Sequence, residues 1–338
     1  MSRRRYLLFF VLAFFLVPCL PARAESARAP KGRKRIDTWL VLEEEKGFER
    51  IERYADMLHS LSVFGDASKE FIDRCHQLHI EVYQGVSGGA SAVDTPAHQQ
   101  ATIEKYVQAC KAQGYDGIDL DFEHLDPSLQ AAYSEFLRRA SSALHRAGKK
   151  MSQCVNCFPT PDWNRSRGTF YDPKVLGRTC DLIRVMCYDL YYAPGRRDPK
   201  LLDRADTQGV GPASTYVWAR NGMRFWLGQV PRRKLVMGLP AYSNDYALSL
   251  SGGGNQIYAS KPPTQGASQK TWLWYERLAL YLYLDKDVPH VFYASDAEST
   301  KAHLETVDEL KLPAFGFWHF SSVDEATWEA IRAWMDKK

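Results

Sequence analysis

The sequence predicts a single-domain (β/α)8 (TIM) barrel, and three observations predict it. From Ile36 to the C-terminus, short apolar runs alternate with amphipathic helical ones. Eight such pairs fit into about 300 residues, a size that suits this barrel. No Gly-x-Gly-x-x-Gly fingerprint follows any of the runs, which disfavours a doubly wound open sheet.

In order, Ile36–Leu42 reads as the first strand and Phe48–Met57 as its helix. Leu61–Phe64 is the second strand, followed by a helix around Lys69–Leu78. His79–Val86 is the third, ending in Ser87-Gly88-Gly89, where glycine permits a tight turn. Thr102–Gln113 is a helix, and Ile118–Glu123 is the fourth strand. Ser128–Ala147 follows as a long helix just after Asp126-Pro127, which has the chemistry of a helix start. Lys150–Phe158 and Cys180–Tyr188 are strands five and six. Tyr216–Leu227 is helical, Lys234–Leu239 is strand seven, Pro313–Phe320 is strand eight, and Glu325–Met335 is the closing helix.

The ends of the chain speak to location. Arg3, Arg4 and Arg5 precede an apolar run, Tyr6 to Val17, and Pro21-Ala22-Arg23-Ala24 offers a cleavage site after Ala24. Residues 1–24 therefore read as a signal peptide and 25–35 as a basic, solvated linker before the domain at 36–338. The run is shorter than the ~20 residues of a membrane-spanning helix, so the mature chain is expected without a stable membrane span; an uncleaved anchor is the alternative. The expected location is secreted or otherwise exported: periplasm, cell surface or a lumenal compartment. The leader carries Arg3, Arg4, Arg5 and Arg23 and no acids, so its removal takes the formal charge from +4 to 0. A neutral mature chain does not call for nucleic acid, and it is expected to be a monomer.

Six cysteines remain, at 75, 110, 154, 157, 180 and 187. Export permits disulfides, and buried free thiols are the alternative. Cys154 and Cys157 lie three apart in a strand, face opposite ways and should not pair with each other. No second ligand pair accompanies them, so no metal site is expected. Asn164-Arg165-Ser166 is one glycosylation sequon.

The chemistry concentrates in Gly114–Glu123. Ile118, Leu120 and Phe122 alternate with Asp119, Asp121 and Glu123, so a strand puts three carboxylates on one face, roughly 6.5–7 Å between neighbours. Like charges in a partly dry site push pKa values apart and leave one carboxyl protonated near neutral pH. Such a group is the general acid that an acetal bond needs. A solvated acidic edge strand is the ordinary alternative. A calcium loop would place its acids on a glycine-containing turn instead.

Asp116-Gly117-Ile118-Asp119-Leu120-Asp121-Phe122-Glu123 resembles the Asp-x-x-Asp-x-Asp-x-Glu signature of glycoside hydrolase family 18, the chitinases and their relatives. Met186-Cys187-Tyr188-Asp189 is similar to the family's Met-x-Tyr-Asp at the end of strand six. Lys234 to Tyr242 is similar to its strand-seven segment, and Phe315-Gly316-Phe317-Trp318 to the strand-eight segment that floors the sugar site. Two features depart from the pattern. The serine of the strand-three motif falls one place late, at Ser87. Between strands seven and eight only Ser243 to His290 intervenes, with a helix expected near Trp274–Leu284. The full α+β chitinase insertion is therefore not expected, and the cleft should be shallower or differently walled.

The resemblance implies an exported hydrolase of β-linked N-acetylglucosamine-containing oligo- or polysaccharides: chitin oligosaccharides, peptidoglycan or N-glycans. It implies retention through the substrate's own 2-acetamido group. Glu123 would be the general acid, Asp121 would hold the acetamido N–H, Asp119 would share a proton with Asp121, and Tyr188 would donate to the acetamido carbonyl. Trp318 would stack beneath the sugar and Asp189 would bind it, with a structural salt bridge as the alternative for Asp189. Met186 and Tyr242 would line the site, more by packing than by contact. Asp116 would support the loop. His124 points to the other strand face and is read as packing or a loop hydrogen bond. No cofactor is implied. The rival reading is a non-catalytic chitinase-like lectin, which typically lacks the acid glutamate.

Overall fold

The computed structural model describes residues 34–42, 48–123, 125–157, 170–191, 210–248, 253–263 and 266–337. The expected leader and cleavage site near Ala24, most of the expected basic linker, His124 and the Asn164 sequon lie outside the described residues. Arg35 does not belong to the linker. It opens the first strand and pairs with Asp37 at 3.4 Å.

The chain runs β1 (Arg35–Val41), α1 (Glu49–Tyr54), β2 (Leu58–Phe64), α2 (Lys69–Gln77), β3 (Glu81–Ser87) and α3 (Pro96–Gln113). It continues through β4 (Gly117–Asp121), α4 (Gln130–Arg146), β5 (Lys150–Asn156), α5 (Pro173–Thr179), β6 (Leu182–Met186), α6 (Tyr216–Leu227) and β7 (Leu235–Pro240). Five further strands follow: β8 (Ser243–Ala247), β9 (Gly254–Ile257), β10 (Ser268–Leu273), β11 (Leu278–Asp285) and β12 (Val288–Tyr293). Helix α7 (Ala297–Glu309), strand β13 (Ala314–Trp318) and helix α8 (Glu325–Met335) complete it. Strands β1 to β7 pair in parallel in sequence order, and β13 closes the ring between β7 and β1. The predicted (β/α)8 barrel is the observed fold.

Two boundaries move for stated reasons. Helix α3 starts at Pro96, not Thr102, because the Thr95 side chain accepts from the His98 N–H and proline occupies the first turn. Strand β4 ends at Asp121, so Glu123 lies two residues past it rather than at its last position.

The inserted segment contradicts the helix expected at Trp274–Leu284. Residues 268–273 and 278–285 form an antiparallel hairpin within a five-stranded sheet of order β10-β11-β12-β8-β9. The period is two, not 3.6: Ala279, Tyr281 and Tyr283 are buried while Leu282 and Leu284 are exposed. The insertion is thus all-β among its described residues. The next helix, α7, occupies the barrel's seventh helical place.

The apolar core lies between barrel and helices, where Ile118, Leu120, Val155, Ile183, Trp226 and Trp328 are buried. The barrel interior is different. Asp37, Ser60, Ser62, Asp119, Ser152 and Arg184 are all 0% exposed and hydrogen-bond one another across strands. Barrels of this kind are usually filled by branched apolar side chains. Gly316 on β13 lets the β1 backbone approach closely. A Cβ on Gly316 would stand 1.9 Å from the Asp37 carbonyl oxygen, a backbone atom that cannot rotate away. Gly316→Ala is therefore expected to cost about 1–3 kcal/mol by overpacking, read as a lower urea midpoint with an unchanged m-value; an unaltered midpoint would show that the β1–β13 contact is loose.

The six cysteines among the described residues are all free and buried. Cys157 and Cys187, which follow the register pair Asn156 and Met186, touch each other and abut the first turn of α6.

Candidate active site

Strand β4 carries the expected alternation into the barrel. Phe122, just beyond it, turns outward onto Tyr133 and Phe136 of α4, at ring separations of 5.6 and 6.0 Å. Gly88 accommodates that ring, since a Cβ there would lie 2.3 Å from Phe122 Cζ. Asp119 and Asp121 face the axis, deepest first.

Asp119 is fully buried. Its Oδ2 accepts from Ser62 Oγ at 2.6 Å, Trp39 Nε1 at 3.1 Å and Cys154 Sγ at 3.5 Å, and lies 3.4 Å from Arg184 Nε. Asp121 Oδ2 accepts a long bond from Ser87 Oγ at 3.4 Å, so the late serine of strand three still reaches the acidic row. Oδ1 of both aspartates is buried without a hydrogen-bond partner. Burial first, then the charges of Glu123 and Asp119, push the Asp121 carboxyl up to about 8, against the hydrogen bonds from Ser87 and Cys154. Asp121 is therefore protonated at neutral pH.

Glu123 is half-buried at the C-terminal mouth of the barrel. It bounds a cleft together with Asn156, Cys157, Met186, Tyr188, Asp189 and Trp218. Tyr188 is buried across the cleft, its ring edge-on to Trp39 at 5.9 Å and Tyr242 at 6.3 Å. Burial raises its phenol far above the ordinary range, so it is present as an O–H donor. Asp189 sits in the left-handed region at φ 60° and accepts from Tyr242 Oη and from Gln256 Nε2 at 3.2 Å. Trp318 is half-buried against Phe64 at 5.3 Å and Trp39 at 6.2 Å, and its peptide bond to His319 is cis. Met186 and Tyr242 pack in the same cluster as Trp39 and Tyr188. Asp116 stands apart, at the N-terminal end of β4, where its Oδ2 accepts from the Val82 N–H at 2.8 Å and meets His76 Nε2 at 2.9 Å.

Several side chains around the acidic row were not anticipated. Trp39, Ser62, Cys154 and Arg184 surround Asp119 from four other strands. Arg184 carried a signal, as the one charge in the apolar run Leu182-Ile183-Arg184-Val185-Met186. Trp218 enters the cleft from the first turn of α6, where its N–H is capped by Thr215 Oγ1 at 3.1 Å. The inserted sheet supplies Gln256 and, just past β9, Tyr258, whose ring lies 6.0 Å from Tyr242 and 5.1 Å from His319. The inserted sheet thus touches the cleft lining at Asp189 through Gln256. Among the described residues no three His, Cys, Asp or Glu side chains are placed to hold a metal ion, and no helix is long and apolar enough to cross a membrane.

The profile of Glycosyl hydrolases family 18 matches residues 73–322, which includes β4, Glu123 and β13. The chain belongs to this family. Among curated relatives, the family 18 chain is 24% identical over 235 residues to an uncharacterised glycosylase of Bacillus subtilis, covering 68% of this chain and 64% of the relative. It is 25% identical over 223 residues to the cortical fragment-lytic enzyme of the same organism, covering 64% and 49%. The match thus spans roughly half to two thirds of those relatives' length. Among solved structures, a chitinase from Chromobacterium violaceum superposes with a TM-score of 0.75 at 20% identity, over 89% of this chain and 98% of that one. The spore cortex-lytic enzyme SleL of Bacillus megaterium superposes at 0.72 and 18% identity, over 90% and 75%. Those structures share its fold.

Proposed function

We propose that this family 18 protein is an exported hydrolase of β-linked N-acetylglucosaminides that works with retention through the substrate's 2-acetamido group. The observation that carries the reading is the graded acidic row: a buried Asp119 whose Oδ2 is held by several donors, a protonated Asp121, and Glu123 at the cleft, with the Tyr188 phenol opposite.

Glu123 gives its proton to the glycosidic oxygen as the C1–O bond breaks, and the aglycone leaves as an alcohol. The acetamido carbonyl oxygen attacks C1 and forms a cyclic oxazolinium ion. Asp121 passes its resting proton to Asp119, accepts from the acetamido N–H and, as a carboxylate, meets the positive charge as it develops, while the Tyr188 O–H orients the carbonyl. Water then attacks C1, returns a proton to the Glu123 carboxylate, and restores the acetamide with net retention. Asp119 anchors Asp121 from below, Trp318 offers a ring face for the sugar, and Asp189 with Gln256 offers polar contacts.

Relatives named as chitinases and as cortex-lytic enzymes support both chitin oligosaccharides and peptidoglycan as substrates. The leader supports export. The test is turnover of aryl glycosides of one, two and three N-acetylglucosamine units, with product analysis on peptidoglycan and on an N-glycan. Release of aryl alcohol with a β-configured reducing end is expected, and the preferred length separates exo from endo action. Oligosaccharide binding without turnover on any substrate would assign the lectin instead.

A further inference from the structure

A charged residue inside an otherwise sealed barrel needs a reason, because burying it is costly unless it is fully paired. Arg184 is 0% exposed at the centre of β6. Its Nε donates to Ser152 Oγ at 3.1 Å and lies 3.4 Å from Asp119 Oδ2. Nη1 donates to the Asp37 carbonyl at 2.9 Å and Nη2 to Ser60 Oγ at 3.2 Å. The guanidinium is held between the rings of Trp39 and Tyr83, at 5.7 and 5.5 Å. It is thus fixed by β1, β2, β3, β4 and β5 at once, directly beneath the acidic row.

The surrounding groups decide what the cation does. Facing it are Asp37 from β1, Tyr83 from β3, Asp119 from β4 and Cys154 from β5. Burial holds the Tyr83 phenol and the Cys154 thiol in their neutral forms. Asp37 has cations of its own: despite full burial, the hydrogen bond and charge of His59 and the charges of Arg35 and Arg184 hold it well below the usual carboxylate range. Asp119 has no other cation among the partners named above. Every partner of its Oδ2 is a donor or a cation, which makes that oxygen acceptor-only. Asp121 has the reverse surroundings, with the carboxylates of Asp119 and Glu123 beside it and, as donors, the Cys154 thiol and a long bond from Ser87 Oγ.

We propose that Arg184 is a positioning residue: through its ion pair it makes Asp119 the fixed anion of the Asp119–Asp121 pair and leaves the pair's proton on Asp121 in the unliganded enzyme. This deepens the reading above and rests on it for the catalytic meaning. Asp121 is then neutral while waiting, and passes its proton to Asp119 only when the acetamido group and its developing charge arrive.

The test needs no turnover, so its failure is separate from failure of the proposed function. The full-length protein is labelled with carboxyl-13C aspartate, the two signals are assigned with Asp119→Asn and Asp121→Asn, and their titrations are followed without ligand. In the wild type the high-pH titration is expected on the Asp121 carbon, near 8. In Arg184→Met it is expected to pass to the Asp119 carbon, and Arg184→Lys is expected to return it to Asp121. In the Asp119→Asn background, Arg184→Met should leave the Asp121 titration where it was, and this pair carries the test if the single Met variant does not fold. An Asp121 carbon that still titrates near 8 in Arg184→Met, or that moves on Arg184→Met in the Asp119→Asn background, overturns the proposal.

Discussion

Replacing Glu123 by Gln is expected to lower kcat by about 10²–10⁴-fold, the usual contribution of a positioned general acid. The amide keeps the shape and the half-buried place at the cleft but has no proton to give a leaving alkoxide. Affinity for a chito-oligosaccharide should stay within about 3-fold of wild type, because the acid acts chiefly in the transition state. The loss should shrink for aryl glycosides whose phenol leaves readily, since these need little protonation. The measurement is kcat and KM on substrates of graded leaving-group pKa, beside calorimetric binding. Unchanged kcat on a poor leaving group would remove Glu123 from the role of acid.

The acidic row was legible in the sequence because it is local. Six alternating residues, Ile118 to Glu123, define both faces of one strand with no knowledge of what surrounds it. The helices Tyr216–Leu227 and Glu325–Met335 were legible to the residue, since Thr215 and Asp324 immediately precede them and cap them. The partners of Asp119 were not. Trp39 is 80 positions away, Ser62 57 and Cys154 35, and only barrel closure brings β1, β2 and β5 to the same oxygen. A Ser or Trp within a strand gives no sign of which neighbour it will meet.

The insertion was misread for a related reason. Between Trp274 and Leu284 apolar residues crowd every few positions, and such density fits either period. The deciding contacts come from β12 and β8, whose pairing with each other and with β11 is not written locally. That sheet brings Gln256 to Asp189 and Tyr258 to Tyr242. The acidic row is thus encoded locally, in Ile118 to Glu123. The sheet is encoded by long-range pairing, where sequence reading is weakest.

Replacing Asp121 by Asn is expected to move activity and stability in opposite directions. The neutral amide cannot answer the positive charge of an oxazolinium ion, so kcat should fall by about 10²–10³-fold. Stability follows from where the proton sits. The folded-state value of Asp121 is raised from 3.8 to about 8, chiefly by burial and then by the charges of Glu123 and Asp119. Between those two values the folded chain holds a proton that the unfolded chain releases, so wild-type stability declines as pH rises across this window. The contribution is fully present below 3.8 and is lost as pH passes through about 8. Asparagine never ionises and escapes the loss. The variant should therefore melt higher than wild type at pH 8–9, by on the order of a few degrees, and the gap should close towards pH 4. Melting curves across that range, run beside turnover, check both halves. A gap that does not vary with pH would mean that Asp121 ionises as readily in the barrel as in the open chain, and would take with it the protonated resting state on which the mechanism depends.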